Sequence, residues 1–130
     1  MADQAAIEQK YAPVMNVLEE FSEYGSQKKS SSMEGDKLAL ECSVPSKVIG
    51  NRVWDTIKEC DPTYSDLDLK MTQTGADAQP YTIKAGDNLS KVSKLFYGNA
   101  NKYMKIAEAN SLDDPDKIQV GQEIQVPALG

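Results

Sequence analysis

Two short segments, Tyr81-Thr82-Ile83-Lys84-Ala85-Gly86-Asp87-Asn88-Leu89 and Gly121-Gln122-Glu123-Ile124-Gln125-Val126-Pro127, bracket the last third of the chain and restrict what it can fold into. Tyr81 and Ile83 alternate with polar neighbours, as a half-buried strand requires. Gly86-Asp87 follows as a turn, because glycine accepts positive φ and Asp or Asn can cap a helix. Leu89, Val92 and Phe96 then recur at helical spacing until Gly98 stops the run. Asn99 or Asn101 caps a second helix, in which Tyr103, Ile106, Ala107 and Asn110 fall at i, i+3, i+4 and i+7. Ile124 and Val126 supply a returning strand. The pattern by itself specifies a small packed unit of order strand, helix, helix, strand.

From Gln79 to Pro127 this pattern resembles the LysM module, two helices on a two-stranded antiparallel sheet. The residues that carry the likeness are the opening Tyr81 to Leu89, the middle Tyr97-Gly98-Asn99-Ala100, the helix end Glu108-Ala109-Asn110, and Pro115-Asp116-Lys117-Ile118 with Gly121-Gln122. The resemblance implies recognition of polymers containing N-acetylglucosamine, such as peptidoglycan or chitin, in a shallow groove between the loop after the first strand and the loop before the second. Those loops are Gly86 to Ser90 and Asp114 to Ile118. The implied glycan-binding residues are Gly86, Asp87, Asn88, Leu89, Ser90, Lys117 and Ile118. Backbone groups of the first loop would pair with the acetamido group, and Leu89 and Ile118 would offer apolar contact. The competing role for the same residues is structural, with Gly86 and Asp87 as turn and cap and Leu89 and Ile118 as core. Tyr97 and Tyr103 sit at helical spacing and read as core more readily than as stacking platforms.

In the first half, Ile7, Tyr11, Val14, Leu18 and Phe21 recur at spacings of 4, 3, 4 and 3, one apolar helix face. Pro13 interrupts it, so the firm helix is expected from about Pro13 to Glu23, with residues 1–10 as an arm or a separate turn. Lys28 to Met33 and Lys37 to Cys42 flank Glu34-Gly35-Asp36, a hairpin turn. Leu38, Leu40 and Cys42 share one face of the second strand. Ser30-Ser31-Ser32 is a poor strand by composition and depends on its position. Pro45-Ser46 opens a helix with the stripe Ile49, Val53, Trp54, Ile57 and Cys60, which ends at Asp61-Pro62. Leu67, Leu69 and Met71 alternate as a third strand. Gln73 to Pro80 is small and polar, a short linker.

The order helix, hairpin, helix, strand, with Glu34-Gly35-Asp36-Lys37-Leu38-x-Leu40 followed by Val44-Pro45-Ser46, resembles the BON domain, although Glu41-Cys42-Ser43 replaces that family's usual glycine. BON followed by LysM resembles a family of small cytoplasmic bacterial proteins that bind potassium. That resemblance implies an ion-dependent arrangement of the two domains, which would follow were the ion held where the N-terminal helix meets the linker and the LysM module. Potassium sites are commonly rings of backbone carbonyls, so no ligands are named from sequence. The expected organisation is an N-terminal arm over residues 1–12, a BON-like αββαβ sandwich over 13–73, a linker over 74–79 and a LysM βααβ domain over 80–128. The fold class is α+β.

Composition narrows the function. Fourteen basic residues against 20 acidic leave a net charge of −6, which repels nucleic acid and anionic membranes. The acidity is concentrated in residues 1–75, with 8 basic and 13 acidic side chains against 6 and 7 in the rest. No histidine is present, which removes the commonest general base and transition-metal ligand, and no carboxylate pair is set in an apolar pocket. Asp113-Asp114-Pro115-Asp116 is dense in carboxylates but lacks the spacing of a calcium loop. Cys42 and Cys60, outside any CxxC motif, read as buried thiols. Met1 to Glu8 has no secretory pattern, and a cytoplasmic location is expected. The sequence therefore predicts a non-enzymatic binding protein with no cofactor beyond a potassium ion. Its partner is a glycan through the LysM groove or, alternatively, a monovalent cation sensed by both domains; a third possibility is a protein partner, with LysM as a docking module.

Overall fold

A computed structural model describes residues 3–129. Met1 and Ala2, the tip of the expected arm, lie outside the described residues. The apolar stripe of the first helix is all buried, yet it spans two helices: α1 (Gln4–Lys10) and α2 (Ala12–Glu20). Tyr11 separates them with non-helical φ and ψ. Pro13 then occupies the first turn of α2, where its missing N–H costs nothing. Asp3 caps α1 by accepting from the Ala5 amide at 3.1 Å. Residues 4–10 thus form a helix that buries Ile7. The second helix stops at Glu20, short of the expected Glu23, and a 3-10 turn over Ser22–Tyr24 ends on Gly25 at φ +114°.

Strands β1 (Gln27–Glu34) and β2 (Lys37–Val44) pair antiparallel across the Gly35 turn, and β3 (Leu67–Gln73) adds in parallel to β2. The serine run therefore does form a strand, through its partner rather than its propensity. The parallel step is made by α3 (Lys47–Cys60), the crossover that a parallel pair requires. Ser46 caps α3, accepting from the Ile49 amide at 3.3 Å. Leu38, Leu40 and Cys42 pack beneath α2 and α3. Burial pushes the Cys42 thiol up to about 11.

The remaining elements are β4 (Gln79–Thr82), α4 (Leu89–Tyr97), α5 (Tyr103–Ala109) and β5 (Glu123–Val126), with β4 and β5 antiparallel. Asn88 caps α4 and Gly98 ends it at φ +74°. Asn110 closes the unit: its amide donates to the Gln125 carbonyl at 2.7 Å and accepts from the Gln125 amide at 2.8 Å, tying the end of α5 to β5.

The two halves share one hydrophobic core. Phe21 stacks on Phe96 with centroids 5.6 Å apart, and Tyr24 and Tyr81 meet the same Phe96 ring edge-on at 5.6 and 5.5 Å. The stretch between them is anchored as well. Thr74 donates its amide to Val44 at 2.8 Å, and the Val48 amide reaches the Asp77 carbonyl at 3.3 Å. A Cβ on Gly75 would stand 2.4 Å from the Pro45 carbonyl oxygen, so only glycine lets the two backbones approach this closely.

Candidate functional site

Two surfaces merit the name: the LysM-type loops and the junction of the halves. Just beyond the β4–β5 ladder, Ile83 donates to Gln122 and accepts from Gly121 at 2.9 and 2.8 Å, which puts both loops at one end of the small sheet. Within the first loop most polar groups are already engaged. Asp87 Oδ2 accepts from the Tyr81 hydroxyl at 2.6 Å and from the Lys84 amide at 2.8 Å. The Asn88 side chain accepts from the Lys91 amide, and Lys91 Nζ donates to the Gly86 carbonyl at 2.9 Å. Leu89 is buried in the core at 2 % exposure, so its side chain is turned from solvent. Ile118 is half-buried against the core, whereas Ser90 and Lys117 are exposed. Gly86 has φ +85° and open space over its α-carbon, which leaves backbone as the accessible part of this loop.

In the other loop Asp114 Oδ1 accepts from the Asp116 amide at 2.9 Å, making the acidic run a capped turn. Tyr97 donates its hydroxyl to the Pro127 carbonyl at 2.5 Å, and burial pushes that phenol well above its ordinary range. Tyr103 is half-buried.

The junction offers oxygens. Gln79, only 3 % exposed, donates its amide to the Pro80 carbonyl at 3.1 Å, while its Oε1 is buried and accepts nothing among the described residues. A buried acceptor without a donor is costly, and a cation or an ordered water supplies what it lacks. Sequence reasoning missed Gln79, because a single glutamine at a strand start carries no motif. It also missed Pro45, whose carbonyl comes close to Gly75 only through tertiary packing.

Comparison with known proteins matches residues 81–127 to the LysM domain model. Residues 81–127 are a LysM domain. A LysM domain-containing GPI-anchored protein of Arabidopsis thaliana is 45% identical over 47 residues, which are 36% of this chain and 13% of the relative. An esterase of Mycobacterium tuberculosis is 43% identical over 51 residues, 39% of this chain and 11% of its own length. The potassium binding protein Kbp of Escherichia coli is 48% identical over 64 residues, 48% of this chain and 43% of the relative. The matched segments thus span less than half the length of these relatives. No described helix is long and apolar enough to cross a membrane.

Proposed function

We propose that this chain is a non-enzymatic, cytoplasmic protein that binds potassium at the junction of its N-terminal αββαβ unit and its LysM domain. The observation that carries the reading is the extent of the likeness to Kbp: 64 aligned residues against 47 in the LysM segment, so the similarity runs beyond the module. The geometry supports the same region. Gln79 Oε1 is a buried, donorless oxygen, and the Pro45 carbonyl lies against Gly75 where two chain segments touch. Potassium sites are commonly built from neutral carbonyl oxygens such as these. An ion held between segments 44–46 and 74–79 would favour the docked arrangement of the halves by mass action. Free Cys42 and Cys60 suit a reducing compartment.

The test is thermal unfolding at constant ionic strength in potassium, sodium and choline chloride. A midpoint raised by potassium alone, and no longer raised in Gln79→Leu, is the expected result. Equal midpoints in the three salts overturn the proposal. A rise produced only by chitin oligomers would return the function to the backbone groups of Gly86 to Ser90.

A further inference from the structure

Residues of α3 and α4 line an open cleft of about 470 Å³. Its cationic residues are Arg52, Lys58 and Lys102, opposed by one carboxylate, Asp55. That excess of positive charge stands on a chain whose net charge is −6.

Arg52 is the centre of the argument. Its guanidinium lies against Gly98, where a Cβ would come within 2.8 Å of Nη1, so the glycine that ends α4 also makes room for the arginine. Nε is buried with no acceptor, and the guanidinium makes no hydrogen bond or ion pair among the described residues. Asp55, one turn further along α3, does not pair with it. Among the described residues no carboxylate pairs with this always-charged group, so its forked donors stand ready for an acceptor from the cleft. The walls say what else that acceptor carries. Trp54 and Tyr97 flank the cationic groups, and the Tyr97 hydroxyl is committed to Pro127, which leaves its ring rather than its oxygen to a ligand. Asn51 and Asn99 add neutral donors and acceptors. The volume falls in the range of small-molecule sites.

We propose that this cleft binds a small organic anion, a phosphate or carboxylate attached to a flat ring, with the oxyanion on the Arg52 Nη groups, Lys58 and Lys102 and the ring against Trp54 and Tyr97. Forked guanidinium donors match either oxyanion, and aromatic faces accept planar rings. The proposal does not depend on the potassium reading.

Trp54 is the single tryptophan of the chain and lines the cleft, so its fluorescence reports occupancy directly. The whole 130-residue chain, in fixed potassium chloride, is titrated with adenosine 5′-monophosphate, benzoate, inorganic phosphate and adenosine. Saturable change with adenosine monophosphate or benzoate, at least tenfold weaker with adenosine, is expected, and the stronger of the first two identifies the oxyanion. Arg52→Gln should weaken binding about tenfold or more, the scale of a lost charged hydrogen bond. Lys102→Gln, at an exposed position that should leave folding intact, should weaken it about two- to fivefold. Raising the salt should weaken it further. The proposal is overturned if none of the four probes produces a saturable change. Equal binding by Lys102→Gln and a folded Arg52→Gln also overturns it, as does binding of adenosine as tight as that of its monophosphate.

Discussion

The two contacts between the halves of this molecule are built on opposite principles. Where Phe21 and Tyr24 meet Tyr81 and Phe96 the contact is aromatic, with both phenylalanines fully buried. Where α3 faces the end of α4, the same halves leave an open cleft bordered by Arg52, Lys58 and Lys102. The first supplies cohesion, since each large aromatic removes apolar area from water at roughly 25 cal/mol per Å². The second gathers cationic side chains, and among the described residues Arg52 has no ion-pair partner there. One interface thus lets a protein of this size join its parts firmly while holding a neighbouring surface open.

The sharpest way to break the contrast is Phe96→Ala. Truncating a fully buried phenylalanine should cost about 3–5 kcal/mol, measured by urea denaturation. Because Phe96 belongs to the LysM domain and Trp54 to α3, Trp54 fluorescence should lose its midpoint by the same amount as far-ultraviolet circular dichroism. Independent halves would leave the Trp54 midpoint where it was. Next in size is Gly75→Ala, whose Cβ would meet the Pro45 carbonyl at 2.4 Å. We expect about 1–3 kcal/mol of destabilisation, together with loss of any potassium-induced rise in the midpoint.

The smallest effect concerns the far end of the N-terminal unit, away from both contacts. Lys10 bridges Asp61 at 2.5 Å and Asp66 at 3.1 Å, and Tyr11 donates its hydroxyl to Asp66 at 2.6 Å. The Lys10 hydrogen bond, with the amide and hydroxyl of Thr63, holds the Asp61 carboxyl down at about 2, against an ordinary 3.8. A carboxyl depressed in the folded state stabilises above its unfolded value and loses that contribution as pH falls. Stability should therefore decline between about pH 4 and pH 2, and Asp61→Asn should flatten that part of the profile. These groups are exposed, so the change is small beside the first two.

Legibility differed between the halves for a physical reason. In the LysM segment the decisive signals are local turn and cap residues: Asn88 caps α4 and Gly98 terminates it. In the N-terminal unit the apolar stripe from Ile7 to Phe21 placed the right residues in the core, but not the break at Tyr11, which Pro13 favours without dictating. Ser30 to Ser32 became a strand only because β2 lay beside it. The candidate sites were least legible. Gln79, Pro45 and Arg52 owe their roles to what packs on them from elsewhere in the chain, and no window of sequence contains both partners.

The aromatic contact also sets an order of events during synthesis. Phe21 leaves the ribosome 75 residues ahead of Phe96, a gap of ~4–15 s at ordinary elongation rates. For that interval the nascent N-terminal unit holds Phe21 without the ring that covers it in the finished fold.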